Sequence, residues 1–268
     1  MREKPDVLLA TAREAARVAA SVHEAAARDG DRRWVSEKTM SSDFVSDVDM
    51  KAQEAALEVI STRHPRHHIL AEEESGGRPG AEGTEYLWLV DPLDGTTNFL
   101  HGHPYHAASV AVWDGDGPLA AAVDARALGK TWFAARGRGA YENGERIQVS
   151  RTSRTDRYLL GTGFPFKAHD VLAPYLAELD RALRYTSGVR RTGAAAIDLA
   201  YVANGILDGF WEARLAPWDF GAGILLVTEA GGVAERVEGG RLDATPGSVM
   251  AANTREGLDR LREVLLGR

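Results

Sequence analysis

The sequence YLWLVDPLDGTTNF, from Tyr86 to Phe99, decides the fold of this chain and carries most of its chemistry. Residues 86–90 are aromatic or branched, a pattern that predicts a short buried strand. We expect the strand to end abruptly at two carboxylates, Asp91 and Asp94, where a sheet opens to solvent. Because the proline between them fixes its own φ, both carboxylates start from a stiffened turn.

An anion site is predicted directly after these carboxylates. Gly95 permits a close approach of the backbone, and Thr96, Thr97 and Asn98 favour the start of a helix. The exposed amide donors of a helix start attract phosphate, whereas neighbouring carboxylates repel it. Mg²⁺ removes this contradiction, because it takes carboxylate, carbonyl and water oxygens and bridges to substrate phosphate. The stretch therefore indicates metal-dependent phosphoryl chemistry.

The composition is that of a soluble globular protein, with 268 residues of which 44% are hydrophobic and 26% charged. The absence of cysteine excludes disulfides and thiolate metal sites, which leaves carboxylates and eight histidines as ligands. The net charge of −7 argues against a nucleic-acid footprint over the whole surface, although a local basic patch stays open. No run approaches the roughly 18 apolar residues of a membrane span. The N-terminus predicts an amphipathic helix and no signal peptide, so we expect no membrane partner and a cytoplasmic protein.

Three further acidic residues abut predicted elements. Asp49 lies at the start of a predicted helix, Glu72 follows a short strand, and Asp219 precedes a helix of small residues predicted from Phe220. Each alone is better explained as a solvated surface group, and Asp219 alone as a helix cap. As a set with Asp91 they favour metal binding, because an unpaired carboxylate beside apolar runs is costly and a cation offsets that cost.

The pattern of elements predicts a mixed α/β protein of stacked layers rather than a bundle or a barrel. A polar and basic stretch at residues 150–157 marks a boundary between two halves, 1–150 and 151–268, that pack as one unit. The first half carries most of the candidate ligands and the second closes the site. Helices are predicted over residues 5–28, 50–63, 171–183, 194–204, 220–230 and 255–266, and strands over 68–71, 86–90, 107–113, 119–125, 131–135, 147–149, 158–161, 208–212, 233–237 and 249–251.

Two long motifs, DPLDGTTNF and APWDFGAGILLVTEAGG, resemble the signatures of the inositol monophosphatase family of Mg²⁺-dependent phosphatases. The likeness extends over nearly the whole chain through Lys38, DFVSDVD, ILAEEES, the turn from Arg136 to Gly139, and RRTGAAAIDLAYVANG. The resemblance implies a layered αβαβα sandwich, usually a homodimer. It also implies two to three Mg²⁺ ions and a sugar or polyol phosphate as substrate.

The resemblance carries over to individual residues of this sequence. It implies that Glu72, Asp91 and the carbonyl of Leu93 bind the first metal ion, and that Glu72 also lies near a third. Asp91, Asp94 and Asp219 would bind the second ion, with Asp91 bridging. Thr96 and Asp49 resemble the pair that orients and deprotonates the nucleophilic water, and the amides of Gly95 and Thr96 would hold the phosphate. Thr96, Asp49 and Glu72 are therefore the candidate catalytic residues, and no covalent phosphoenzyme is implied.

Two positions leave alternatives open. Glu72, Glu73 and Glu74 form a triplet where the family usually has two acids, and the spacing from Asp49 favours Glu72 as the ligand. Lys38 is either a solvated surface lysine or a residue of a loop near the metal site. The histidines are expected to be exposed or hydrogen-bonded rather than metal ligands.

The substrate contacts of the family correspond here to Asp94, Asp219, Glu212 and the backbone around Ala195. A carboxylate such as Glu212 accepts hydrogen bonds from a polyol, unless it pairs with Arg190, Arg191 or Arg214 at the surface. Inositol 1-phosphate is the leading substrate. Fructose 1,6-bisphosphate, NADP, histidinol phosphate and nucleotide bisphosphates are rivals, because Arg184, Arg190 and Arg191 could bind a second phosphate.

A function of another class also stays open. The chain could be a protein on a phosphatase scaffold that binds RNA or a transcription complex through its arginines, namely Arg151, Arg154, Arg157 and the group from Arg184 to Arg191. The intact acidic set argues against a purely non-catalytic role.

Overall fold

Two mixed β-sheets and three layers of helices build the protein, and the computed structural model describes residues 3–29, 36, 37, 44, 45, 47–73, 80, 82–165 and 169–268. The strands are β1 Ser36–Glu37, β2 Phe44–Val45, β3 His68–Ala71, β4 Leu87–Asp94, β5 Ala107–Asp114, β6 Gly117–Ala125, β7 Lys130–Ala135, β8 Gly139–Glu142, β9 Glu145–Arg146, β10 Leu159–Thr162, β11 Gly188–Arg190, β12 Gly209–Leu215, β13 Val233–Glu235 and β14 Gly247–Ala252. The helices are α1 Pro5–Asp29, α2 Asp47–Arg63, α3 Thr96–Leu100, α4 Leu172–Tyr185, α5 Ala195–Ala203, α6 Pro217–Phe220, α7 Gly223–Glu229 and α8 Arg255–Leu266.

The larger sheet has seven strands in the order of the sequence, β3 to β9. Strands β3 and β4 are parallel, and each later neighbour is antiparallel. The smaller sheet has five strands in the order β11, β10, β12, β14, β13, with β10 parallel to both of its neighbours. All strands of the larger sheet precede residue 150 and all strands of the smaller sheet follow it. The division into halves at residue 150 stays a prediction.

Helices α1 and α2 cover the outer face of the larger sheet. Buried side chains recur along α1 at Leu8, Ala12, Ala15 and Ala19, a spacing that keeps them on one face of a helix. Along α2 the buried residues Val48, Ala52, Ala56 and Ile60 are four apart. Small alanines let both helices approach the sheet closely, where they pack against side chains such as Trp88 and Val90.

Helices α5 and α7 fill the space between the two sheets. All nine residues of α5 are buried, as expected of a helix that is apolar all round and lies in the middle of a domain. The same core contains Leu89 from the larger sheet and Phe210 from the smaller one. The remaining layer, α4 and α8, packs on the outer face of the smaller sheet around Trp211 and Leu261. The order of layers is αβαβα, which confirms the predicted fold class.

Most predicted elements are confirmed, but three predictions were wrong in position or extent. Strand β4 does not end at residue 90 but continues through the acidic motif to Asp94. Residues 147–149 are not a strand, because the hairpin partner of β8 ends at Arg146. The helix predicted over residues 220–230 is two helices, α6 and α7. Strand β11 was not predicted, since its three residues carry no alternating pattern.

Residues 36–47 form a polar stretch typical of a loop or hairpin, and they contain the antiparallel pair β1 and β2. Lys38, for which a loop near the metal site was one of two alternatives, lies outside the described residues, as does Glu74 of the acidic triplet. None of the helices in the described part of the chain combines the length and the apolar composition that a bilayer crossing requires.

Candidate active site and metal centre

A β-bulge in β4 brings the two acids of the central motif to one side of the sheet. Asp91 pairs with Ser109 and Asp94 with Ala107, so β4 contains one more residue than β5 between these two pairs. Side chains three residues apart in a regular strand face opposite sides, and the extra residue returns Asp94 to the side of Asp91. Within the bulge the amide of Leu93 donates a hydrogen bond of 3.0 Å to Asp91 Oδ1.

The bulged strand opens into a cavity of about 760 Å³ between the two sheets. Six acidic side chains line it, among them the four predicted metal ligands, and we call this site the acidic cavity after these four: Glu72, Asp91, Asp94 and Asp219. Leu93, Gly95 and Thr96 line the same cavity. The structure therefore brings together every residue that the resemblance implies as a metal ligand or phosphate contact.

Glu72 reaches the cavity from the end of the neighbouring strand. Its amide donates to the carbonyl of Val90 at 3.1 Å, which continues the parallel pairing of β3 with β4 by one residue. Glu73 does not line the cavity, and its backbone amide and carbonyl exchange two hydrogen bonds with the side chain of Gln53. The structure thus favours Glu72 over Glu73 as a member of the cavity.

Thr96 connects the motif with the start of α2. Its hydroxyl lies 3.0 Å from Asp49 Oδ1 and 3.1 Å from the carbonyl oxygen of Leu93, so its single proton has two acceptors. Asp49 is completely buried and does not line the cavity. Gly95, which precedes Thr96, has a φ of 88°, and a Cβ at this position would lie 2.8 Å from the carbonyl oxygen of Tyr105. Only glycine fits this turn without strain.

Backbone amides from the second half hold the other two aspartates. Asp94 Oδ2 accepts a hydrogen bond of 2.7 Å from the amide of Ala196 in the first turn of α5. Asp219 Oδ2 accepts one of 2.7 Å from the amide of Ala216. Asp219 does not precede a helix as predicted but lies inside α6, which Pro217 begins. Proline favours the first turn of a helix, which explains why the chain turns there.

The charges in the acidic cavity repel one another. Burial is the largest cause that raises the pKa of Asp91 well above its usual value, followed by the charges of Glu72, Asp94 and Asp219. The pKa of Asp94 is also raised well above its usual value, by burial and by Asp219, against the opposing hydrogen bond from Ala196. Carboxylate and carbonyl oxygens are the donor set that a hard divalent cation such as Mg²⁺ requires. The residues present therefore fit such an ion.

Another part of the cavity is lined by Gly163, Ala195 and Glu212. Glu212 lies against Gly163, where a Cβ would be 2.2 Å from its carboxylate, so residue 163 must be small. Burial raises the pKa of Glu212 well above its usual value, and the charges of Asp219, Asp198 and Asp94 add to this. Of the arginines considered as its partners, Arg214 pairs instead with Asp170 at 2.8 Å. Ala195 lines the same part of the cavity at the start of α5.

Sequence reasoning missed Asp198, which also lines the cavity. The side chain is almost fully buried and accepts a hydrogen bond of 2.8 Å from the Thr192 hydroxyl. Burial raises its pKa to about 8. A signal was present in the sequence, since Asp198 is the single charged residue within the apolar run AAAIDLAYVA.

A second group of possible ligands lies away from this cavity, and we call it the N-terminal histidine cluster: Glu3, His64 and His67. His64 Nδ1 and His67 Nε2 are each 3.1 Å from one oxygen of the Glu3 carboxylate. The indole N–H of Trp88 donates to His67 Nδ1 at 3.0 Å. Because that nitrogen must accept, the proton of neutral His67 is on Nε2, which is then no metal ligand. This cluster is a hydrogen-bonded network, as expected for these histidines.

Comparison with known proteins agrees with the geometry. The profile of the inositol monophosphatase family matches residues 4–266. The chain is 42% identical over 245 residues to a putative Nus factor SuhB of Neisseria meningitidis, covering 91% of this chain and 93% of that protein. It is 43% identical over 218 residues to the chloroplastic phosphatase IMPL1 of Arabidopsis thaliana, covering 79% of this chain and 58% of that protein.

A solved structure shares the fold over almost the full length. The inositol monophosphatase from Anabaena (Nostoc) sp. PCC 7120 superposes with a TM-score of 0.84 at 35% sequence identity, covering 98% of this chain and 96% of that one. The chain belongs to the inositol monophosphatase family.

Proposed function

We propose that this protein is a Mg²⁺-dependent phosphomonoesterase that hydrolyses inositol 1-phosphate to inositol and phosphate. The observation that carries the proposal is the convergence of Glu72, Asp91, Asp94 and Asp219 in one cavity, with the pKa of Asp91 and Asp94 raised by burial and then by mutual repulsion. A bound cation would offset this cost. Family membership supports a phosphatase.

The proposed ligands are the four carboxylates and the Leu93 carbonyl. Bound Mg²⁺ would supply charge neutralisation for the phosphate and a water of lowered pKa. We propose two to three ions, as the family resemblance implies. The amides of Gly95 and Thr96 would hold the phosphate oxygens, since the left-handed Gly95 turns the backbone toward the cavity.

Thr96 and Asp49 would move the proton of the attacking water. Thr96 Oγ1 donates to Asp49 Oδ1, so its lone pairs can accept a hydrogen bond from the water. As the water attacks phosphorus, its proton would pass to Thr96 Oγ1 and the hydroxyl proton to Asp49. The phosphorus–oxygen bond to the polyol breaks at the same time, and the departing alkoxide takes a proton from solvent to leave as the free alcohol. The burial of Asp49 keeps competing solvent away from this acceptor.

The polyol would lie between the four proposed metal ligands and the part of the cavity that Glu212 lines. We propose that Glu212 accepts hydrogen bonds from its hydroxyls and that the backbone at Ala195 makes a further contact. Asp94 and Asp219 would contact hydroxyls near the scissile ester. The Glu212 carboxylate lies in the cavity lining, within reach of the charge of Arg191, and can accept hydrogen bonds from the hydroxyls of a neutral polyol.

Phosphate release across a panel of esters tests this function. Wild-type protein is assayed with inositol 1-phosphate, glycerol 2-phosphate, fructose 1,6-bisphosphate, histidinol phosphate and NADP, with Mg²⁺ and with a chelator. We expect Mg²⁺-dependent release that is fastest with inositol 1-phosphate. No release from any ester at any Mg²⁺ concentration would refute the proposal.

Bisphosphates are the rival substrates within this class. Arg191 and Arg214 are the two cationic residues among those that line the cavity, and Arg214 is engaged with Asp170. The guanidinium of Arg191 lies 5.2 Å from the centre of the Phe164 ring at the cavity mouth. If a second phosphate binds there, Arg191→Ala will raise KM for fructose 1,6-bisphosphate about 10-fold, the loss of one strong charge-assisted contact. Arg190→Ala, outside the cavity, is the matched control.

A role in transcription is the second candidate function. The Neisseria relative carries the name of a Nus factor, which favours a partner in the transcription complex. Two arginines of the proposed surface are already paired, Arg154 with Asp156 and Arg184 with Asp180. RNA binding measured by fluorescence anisotropy, together with the ester panel, separates the candidates. RNA binding without any phosphate release would favour the second.

The homodimer and the cytoplasmic location are further proposals. Leu176, Leu183 and Tyr185 expose more than half of their surface along α4, which supports contact with another copy. Sedimentation of the purified protein measures the oligomeric state. A monomer at micromolar concentration would contradict the proposed homodimer.

A further inference from the structure

A buried histidine of α1 contacts the central motif from behind. His23 is 2% exposed, and its Nε2 lies 2.8 Å from the carbonyl oxygen of Pro92. A carbonyl oxygen can only accept a hydrogen bond, so Nε2 carries the proton and donates it. A polar ring on this otherwise apolar helix face is costly to bury unless it is bonded, and this bond offsets the cost.

The bond fixes one peptide unit in the bulge of β4. His23 holds the oxygen of the peptide between Pro92 and Leu93, and Asp91 Oδ1 holds the N–H of the same peptide at 3.0 Å. Rotation of this unit would break both hydrogen bonds together. The orientation of the Asp91 carboxylate and of the Leu93 carbonyl therefore depends on His23, although His23 does not line the cavity.

Two aromatic neighbours hold the ring in this position. His106 packs edge-on against it, with ring centres 5.6 Å apart, and Phe99 lies at 6.1 Å. Phe99 belongs to α3, which directly follows the motif. The ring is thus held between α1, α3 and the segment before β5, and its donor direction is defined by packing as well as by the hydrogen bond.

We propose that His23 is a positioning residue, which sets Asp91 and the Leu93 carbonyl for Mg²⁺ through its hydrogen bond to Pro92. The inference rests on the proposed function, because it assumes that these two groups bind the metal ion. Groups that orient metal ligands from behind affect metal affinity by about 10- to 100-fold when they are removed. The ester itself is not contacted, so the effect belongs to metal binding and not to substrate binding.

Two amide substitutions test this role. Gln places its amide nitrogen where His23 has Nε2 and can still donate to Pro92, whereas Asn is one methylene shorter and cannot. Isothermal titration calorimetry with MgCl₂ measures the affinity of each purified full-length variant. We expect His23→Asn to weaken Mg²⁺ binding about 10-fold or more and His23→Gln to remain within about threefold of wild type. KM for inositol 1-phosphate at saturating Mg²⁺ should stay unchanged in both.

His106→Leu is the matched control, because it alters the same buried aromatic group without removing the bond to Pro92. Its Mg²⁺ affinity should stay within about threefold of wild type. Equal affinity of His23→Asn and His23→Gln, or equal weakening by His106→Leu, would overturn the inference. A wild-type protein that binds no Mg²⁺ would overturn the proposed function instead, and this result is visible before any substitution is made. Should His23→Asn fail to fold, wild-type affinity in a folded His23→Leu variant would overturn the inference equally.

Discussion

The acidic cavity and the N-terminal histidine cluster are both groups of buried titratable side chains, yet their charges are balanced differently. In the histidine cluster the two oxygens of Glu3 each face one imidazole nitrogen, and the outer nitrogens reach Thr11 and Trp88. In the acidic cavity Asp91, Asp94 and Asp219 each accept a backbone amide, but the amides bring no positive charge.

The difference distinguishes a structural network from a metal centre. In the histidine cluster the Glu3 carboxylate lies 3.1 Å from a nitrogen of each imidazole, and burial lowers the pKa of His67. In the acidic cavity burial and neighbouring carboxylates raise the pKa of Asp91 and Asp94, and we propose that cations offset this cost. The charges that surround a group of possible ligands, more than the number of ligands, therefore indicate whether the group binds a metal ion.

The largest expected effect is that of Asp94→Asn on catalysis. Phosphate release should fall by several orders of magnitude, because the substitution removes a proposed metal ligand and a proposed substrate contact together. Asp180→Asn, which changes an exposed aspartate on α4, is the control and should retain wild-type activity. Turnover of Asp94→Asn close to that of wild type would remove the acidic cavity from the mechanism.

The next effect is the stabilisation of the protein by Mg²⁺. A ligand that binds only the folded state at 100 times its Kd adds about 2.7 kcal/mol to the free energy of unfolding. Thermal unfolding in EDTA and in MgCl₂ should show this as a rise in Tm. His67→Gln should lower Tm but leave the size of the Mg²⁺ shift unchanged. Loss of the shift in His67→Gln would mean that the histidine cluster, and not the acidic cavity, binds the ion.

The pH dependence of the stability of the metal-free protein tests whether carboxyl groups of the cavity have raised pKa values. The pKa of Asp91 and Asp94 is raised on folding and that of Asp198 reaches about 8, so these three groups bind more protons in the folded state than in the unfolded one. Their contribution to the free energy of unfolding should therefore fall as pH rises from about 4 towards 8. Buried His23, whose pKa is lowered to about 3, contributes the opposite change as pH rises to about 6.5. Urea unfolding in EDTA measures this decline. Asp198→Asn should make it shallower by about 1 kcal/mol or more, because its side-chain oxygen can still accept the Thr192 hydrogen bond without titrating.

An equal decline in the wild type and in Asp198→Asn would show that Asp198 does not carry the raised pKa. Asp156→Asn is the control for this measurement. Asp156 is exposed and pairs with Arg154, and its pKa is lowered and not raised.

The smallest expected effect is that of Glu3→Gln. It weakens two hydrogen bonds of the histidine cluster, and since Glu3 is one-third exposed we expect a loss of only about 1 kcal/mol in the free energy of unfolding. Mg²⁺-dependent activity should be unchanged. Asp6→Asn, which weakens an exposed contact between α1 and Arg138, should change stability less. A loss of activity in Glu3→Gln would connect the cluster to catalysis.

The sequence alone determined the layers of the fold and the identity of the acids. The alanine spacing of α1 and α2, and the apolar runs of the strands, are local patterns that survive in the folded protein. Asp91, Asp94 and Asp219 lie in motifs whose residue types indicate metal binding before any contact is known. The roles assigned to these residues remain predictions, although the structure brings them into one cavity.

The tertiary structure decided what depends on distant partners. The bulge that turns Asp94 to the side of Asp91 arises from pairing with β5, and the hydrogen bond from His23 to Pro92 joins residues that are 69 apart. The raised pKa of Asp198 depends on burial between two sheets, which no local pattern specifies. Residue types and periodicity are properties of short segments, whereas charge balance is a property of groups that meet only after folding. For this reason the acidic residues could be identified from the sequence, whereas the burial and mutual repulsion that raise the pKa of Asp91 and Asp94 follow only from the fold.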